Sequence, residues 1–383
     1  MSTNFYMPTR ICFGNNALKD IKKFINKSDK VLIITDEGLV SVGIVEMVTK
    51  EISSLGIEYE VYDSVEVNPR PQTVEKCLTQ VKEMQASVIV GLGGGSPLDV
   101  AKIVSVLATN PGTLEEYQWE GKQMENPGLP FIAIATTAGT GSEVTRIAVI
   151  VDRNVKKGIV NDYLYPTVAI VDPALIRSLP PHLTSTTGLD ALTHAIEAYV
   201  GLGANSFSDA LAFEAIKLIG EYLPIAFANG DDMLAREQVA KASTLAGMAM
   251  DQAGLGMVHA MSSPVASYYD VPHGLANAVL LPHAMKFNVS AAPEKFASIA
   301  KFFGIDTSGL SSIEAAHEVV EKVRQFCLEL KIPDKYYDYT PTQEEMELFG
   351  KEAAETFLAR NNPIKLESEA CVNIFNKVFV PCK

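Results

Sequence analysis

From Lys30 to Asp172 the sequence alternates between two kinds of text. Compact β-branched runs (KVLIITD, IEYEVYDSV, ASVIVGLGG, PFIAIATT, TVAIVD) are interleaved with stretches of helical periodicity (SVGIVEMVTKEISSLG, TVEKCLTQVKEM, SPLDVAKIVSVLA). Strands separated by helices are joined by crossovers, so the pattern predicts a parallel, doubly wound sheet. After about Pro181 the alternation stops, and Ala-, Leu- and Glu-bearing segments such as SDALAFEAIKLIGEYL and IEAAHEVVEKVRQFCLEL take over. The reading is an α/β Rossmann-like domain over residues 1–181 and an all-α domain over residues 182–383. The boundary is expected near SLPPHLTS, with the active site in the cleft between the halves.

Composition excludes several partners. Lys and Arg number 32 against 46 Asp and Glu, a net charge of -14, which opposes general binding to nucleic acid or an anionic membrane. The N-terminus lacks the apolar core of a signal peptide, and no apolar run reaches the roughly 18 residues of a membrane span. Five cysteines without a CxxC spacing fit a reducing compartment, so the expected location is cytoplasmic.

Four residues carry the chemistry. In GLDALTHAIEAY, Asp190 and His194 are spaced i, i+4, which on a helix projects both side chains from one face. His259 in GLGMVHAM is read as late in one helix, and His273, after Pro272, as the start of the next. One carboxylate with three imidazoles suits Fe(II) or Zn(II) and does not suit calcium or magnesium, which prefer all-oxygen shells. His182, His283 and His317 have no comparable partner spacing and are read as structural.

GLGGGSPLDVAK, from Gly91 to Lys102, leaves a strand and opens a helix. Ser96 is read as the N-cap, Pro97 as the first helical residue and Asp99 as the partner in a capping box. The glycines and the helix N-terminus suit a pyrophosphate, although neither G-x-G-x-x-G nor a P-loop is present. A second polar loop, TTAGTGSE, follows another strand. Asp36, ending KVLIITD, either accepts hydrogen bonds from an adenosine ribose, favouring NAD over NADP, or caps the next helix.

Together GLGGGSPLDVAK, TTAGTGSEVT, GLDALTHAIEAY and PHGLANAVLLPH resemble the iron-containing (group III) alcohol dehydrogenase family, near its lactaldehyde reductase and 1,3-propanediol dehydrogenase members. The resemblance runs over nearly the whole chain. It implies a dehydroquinate synthase-like architecture, NAD(H), and Fe(II) (or Zn(II)) on Asp190, His194, His259 and His273. Cofactor contacts carry over to Asp36, Asn68, Gly94, Gly95, Ser96, Asp99, Thr136, Thr137, Thr140, Val149 and Lys156. Ile147, Met250, Leu358 and Arg360 carry over to the substrate pocket. The implied activity interconverts a small primary alcohol and its aldehyde, in a homodimer or larger homo-oligomer, with His259 and His273 in the catalytic group.

Three departures from the family text bear on substrate and proton handling. HAMSSPVAS places Ser263, also counted as catalytic, where a proton-handling His is common, and serine has no pKa near 7. AMDQAGLG puts Met250 and Asp251 where Phe and Asn are common, and LARNNPI brings Leu358 and Arg360. Arg360 and Arg146 open an alternative, reduction of an anionic short aldehyde of the sulfo- or phosphono-acetaldehyde type. A non-redox lyase of the dehydroquinate synthase type would need a dense Lys/Arg set that the ligand motifs lack, and a non-catalytic binding protein would not need all four ligands.

Overall fold

The computed structural model describes residues 3–153 and 155–380. It divides into two compact units: Tyr6–Leu179, and Pro180 onward together with the N-terminal segment as far as Phe5. The ring of Phe5 lies 5.6 Å from that of Phe207, grouping the segment with the helices.

The first unit contains strands β1 (Arg10–Phe13), β2 (Lys30–Ile34), β3 (Glu58–Tyr62), β4 (Val88–Gly93), β5 (Phe131–Ala135), β6 (Ile147–Asp152), β7 (Val155–Val160) and β8 (Val168–Val171). Its helices are α1 (Glu37–Ser41), α2 (Ile44–Ser53), α3 (Pro71–Met84), α4 (Gly95–Leu107) and α5 (Leu114–Gln118). Six strands form one parallel sheet in the order β1-β8-β5-β4-β2-β3. Alternate residues serve opposite faces, as the two-residue period of a strand requires. Leu32 and Ile34 of β2 join Val74 and Cys77 of α3 and Leu98 of α4, while Val31 and Ile33 join Val48 and Ile52 of α2. Both faces are therefore covered, as in the doubly wound fold that the alternation predicts.

Two local expectations are corrected. SVGIVEMVTKEISSLG is not one helix: Gly43 adopts φ 78, a left-handed conformation that ends α1 and starts α2. The antiparallel hairpin β6–β7, outside the main sheet, was not anticipated, because its charged Arg153, Lys156 and Lys157 interrupt the apolar pattern. It is tied down from α5 and the residue after it: Gln118 Nε2 donates to the carbonyls of Ile150 (2.8 Å) and Lys157 (2.9 Å), and Trp119 Nε1 donates to Asp152. Lys157 Nζ stands 4.0 Å from the centre of the Trp119 ring.

The second unit is helical apart from short turns: α6 (Pro181–Val200), α7 (Ser206–Ala228), α8 (Met233–Ala253), α9 (Met257–Tyr269), α10 (His273–Asn288), α11 (Pro293–Ser298), α12 (Ser312–Glu329), α13 (Gln343–Glu355) and α14 (Ser368–Val378). α6, α7 and α8 pack against one another, and α6 is also packed by α10. From Gly188 to Ala198 every residue of α6 is buried, which suits a central helix. A Cβ on Gly274 would come within 2.5 Å of the Thr186 carbonyl oxygen, so only glycine lets the first turn of α10 lie this close to α6. No described helix is long and apolar enough to cross a membrane.

Candidate metal centre and cofactor loops

Asp190 and His194 sit one turn apart inside α6, as their spacing predicts, and His273 opens α10 directly after Pro272. His259 is not late in its helix. The Gly254–Gly256 break ends α8, α9 begins at Met257, and His259 is its third residue. The ligand-type atoms of the four side chains all lie within 4.8 Å of one another. From Asp190 Oδ1, His194 Nε2 is 3.8 Å away, His259 Nε2 3.9 Å and His273 Nε2 3.8 Å. Asn277 Nδ2 lies 2.6 Å from Asp190 Oδ1, 3.1 Å from His259 Nε2 and 3.2 Å from His273 Nε2. A single nitrogen within reach of three of these atoms means that they converge on one small volume. Burial pushes the Asp190 carboxyl up, but His194, His273, His259 and the Asn277 amide outweigh it and hold the group at about 2.

Two residues of this centre escaped the sequence reading. Glu197 follows His194 by three positions on α6; its Oε2 lies 2.6 Å from His259 Nδ1, and its Oε1 accepts from the Val258 N–H at 2.6 Å. Asn277 follows His273 by four positions on α10. Both spacings put the residue on the same helical face as a ligand, so the signal was present in GLDALTHAIEAY and PHGLANA.

Most of the expected cofactor residues lie on segments leaving the C-terminal edge of the sheet, while Val149 and Lys156 lie on the separate β6–β7 hairpin. β2 pairs with both β3 and β4, and the chain reverses direction across the sheet there, the usual place for a ligand in an open α/β fold. Asp36 follows β2, Gly94 and Gly95 follow β4, and Thr136, Thr137 and Thr140 follow β5. A Cβ on Gly93 would fall 2.5 Å from Pro97 Cγ, which fixes glycine at this turn. Asp36 does cap the next helix, accepting from the Leu39 N–H at 3.0 Å. The capping box is corrected: α4 begins at Gly95 with Gly94 as its N-cap, and no side chain caps it. Ser96 is already helical. Asp99 turns away from the helix end, accepting from Ser142 Oγ (2.8 Å) and the Val149 N–H (3.0 Å). Lys156, on β7, adds a positive charge that acts on Asp99. Asn68 is half-buried with φ 57 in the loop before α3.

Lys102, the last residue of the Gly-rich motif, is fully buried. Its Nζ donates to Ser142 Oγ (2.8 Å), Thr145 Oγ1 (3.0 Å) and the Ile147 carbonyl (2.6 Å), which binds α4 to the loop after β5. Among the substrate candidates, Met250 is buried late in α8, Leu358 and Ile147 are half-buried, and Arg360 is exposed. Ser263 is half-buried one turn beyond His259 on α9. Arg146 Nη1 donates to Asp162 at 2.8 Å, the surface ion pair that competes with an anion-binding role.

Residues 8–173 match the profile described as iron-containing alcohol dehydrogenase, and residues 184–379 match its C-terminal counterpart, the Fe-containing alcohol dehydrogenase family, C-terminal. The chain belongs to the iron-containing alcohol dehydrogenase family. It is 40% identical over 365 residues to the NAD-dependent methanol dehydrogenase of Bacillus methanolicus, covering 94% of this chain and 96% of that one. It is 39% identical to the 1,3-propanediol dehydrogenase of Klebsiella pneumoniae, over 98% of each chain. A crystal structure of a 1,3-propanediol oxidoreductase superposes with a TM-score of 0.95 at 38% identity, covering 99% of this chain and 100% of that one. Family, fold class and reaction type are thus as the motifs implied: this is a metal-dependent, NAD(H)-linked oxidoreductase of small alcohols and their aldehydes. Neither the lyase nor the non-catalytic reading survives this membership.

Proposed function

We propose that Asp190, His194, His259 and His273 hold the catalytic Fe(II), and that the enzyme interconverts a neutral, short primary alcohol and its aldehyde. The convergence of one carboxylate and three imidazole nitrogens within 4.8 Å carries the reading. The donor set fits a divalent transition metal, since an ionised carboxylate and neutral imidazoles are the species that ligate. Such a metal supplies Lewis acidity to the alcohol oxygen, and NAD(H) supplies the hydride acceptor or donor.

The chain's part is placement. Asp36, Asn68, Gly94, Gly95, Ser96, Asp99, Thr136, Thr137, Thr140, Val149 and Lys156 are assigned to the dinucleotide, with the uncapped N–H groups of α4 offered to its pyrophosphate. Met250 and Leu358 are assigned to substrate shape. Ser263 can pass a proton through its hydroxyl but cannot store one near neutral pH, so proton traffic runs through hydrogen bonds and water. The Arg146–Asp162 pair and the exposure of Arg360 favour a neutral substrate over an anionic aldehyde. Relatives named for methanol and 1,3-propanediol stand at 40% and 39% identity, and one named sulfoacetaldehyde reductase stands at 36%, so the choice rests on the two arginines rather than on the relatives. A cytoplasmic homo-oligomer completes the proposal; the four described cysteines, all free, support the reducing compartment alone.

The test is anaerobic reconstitution with Fe(II), followed by assays with NADH and with NADPH on neutral and anionic short aldehydes. His259→Ala should lose orders of magnitude in turnover together with its metal. Full activity after chelation, or near-wild-type metal content in His259→Ala, refutes the assignment.

A further inference from the structure

The described residues offer α9 no side-chain cap of its own. Gly256 is its N-cap residue and has no side chain, so the first N–H groups of the helix must find acceptors elsewhere. They find them on distant segments. Met257 N–H donates to Asn362 Oδ1 at 3.2 Å, and Val258 N–H donates to Glu197 Oε1 at 2.6 Å. The next residue is His259, and the second oxygen of the same Glu197 carboxylate lies 2.6 Å from its Nδ1. Glu197 is buried, with 6% of its surface exposed, so both contacts are shielded from water.

We infer that Glu197 is a positioning residue that selects the metal-binding tautomer of His259. The inference rests on the metal assignment above. An ionised carboxylate can only accept, so a short contact to Nδ1 requires the proton to be on Nδ1. A neutral imidazole protonated there presents a bare Nε2, and Nε2 is the atom that faces Asp190, 3.9 Å from Oδ1. The same carboxylate anchors the N-terminus of α9 through Val258, which fixes the height of His259 along the helix axis. One side chain thus sets both the tautomer and the position of a ligand supplied by a different helix.

Glutamine separates these two effects. In Glu197→Gln the amide oxygen can keep the Val258 N–H, but its NH2 group then points a donor at Nδ1. That arrangement requires a bare Nδ1 and moves the imidazole proton to Nε2, the wrong tautomer for the centre. The variant should fold, as read by circular dichroism and melting. It should bind Zn(II) about 10- to 100-fold more weakly in competition with a chromophoric chelator, while NADH binding is unchanged. Wild-type zinc affinity in Glu197→Gln, with a loss in His259→Ala, overturns the inference and leaves the metal assignment standing. Retained affinity in both variants refutes the metal assignment itself. Histidine 15N NMR of the zinc-loaded wild type gives a test free of any variant. His259 should bind through Nε2 with its Nδ1 proton retained, and metal on Nδ1 overturns the inference.

Discussion

Asp36 shows how one carboxylate can hold two assignments. Its Oδ1 caps α1 through the Leu39 N–H, and its charge is the feature that would repel a ribose 2′-phosphate. Asp36→Asn keeps the acceptor and removes the charge. It should shift the NADP/NAD preference by roughly ten-fold towards NADP without changing the melting temperature. An unchanged cofactor ratio would leave Asp36 as a helix cap only. His283, one of the histidines read as structural, yields a pH prediction. Burial, then the nearby Lys377, Lys286 and Arg324, hold its imidazole below the ordinary value of 6.5. Its folded-state pKa is lower than its unfolded one, so its contribution is complete above the unfolded value and is lost as pH falls towards the folded one. Between about pH 7.5 and pH 5 the wild type should lose more melting temperature than His283→Gln, and parallel losses would contradict this.

At the scale of elements, Lys102 is where the first unit is most exposed to a single change. A buried ammonium with three oxygen acceptors joins α4 to the Ser142–Val144 turn and to the start of β6, and Asp99 lies close by at 3.9 Å. Lys102→Met removes the nearer of the two cations that act on the largely buried Asp99, leaving only Lys156. It should cost about 3 kcal/mol in urea denaturation and weaken NADH binding with it. The strands and long helices could be read from the sequence because their apolar periods are sustained: KVLIITD, ASVIVGLGG and PFIAIATT each became a central strand. β1 and the β6–β7 hairpin escaped because Arg10–Phe13 is a half-exposed strand beginning at a charge, and the hairpin is a lysine-bearing ribbon, so neither carries the sustained apolar run of a buried strand. The metal set could be read because i, i+4 spacing is local. Glu197 shares a helical face with His194, so its place near the ligands could be read, but its pairing with α9, like that of Asn362, could not, since capping a helix from another segment is a tertiary relation that no local spacing encodes.

At the scale of the molecule, Trp119 is the only tryptophan in the chain, and it belongs to the α/β unit. Its emission therefore follows that unit alone, while far-ultraviolet dichroism follows both. A ligand stabilises the fold it binds, by about 2.7 kcal/mol at a hundred times its dissociation constant. NADH should raise the thermal transition seen by Trp119. Chelation should lower the dichroism transition and leave the Trp119 transition in place. A Trp119 transition that falls with chelation would show that the two units unfold as one.

The four donors of the metal centre come from three helices, and the chain that separates Asp190 from His273 includes all of α7 and α8. A nascent or unfolded chain holds these groups too far apart to grip one ion, because the closure entropy of so long a loop must be met first. Loading therefore follows assembly of α6, α9 and α10. By the same logic the ion acts late in folding: it slows escape from the native state far more than it speeds arrival there. Stripping the metal should thus shorten the native lifetime while leaving the refolding rate nearly untouched.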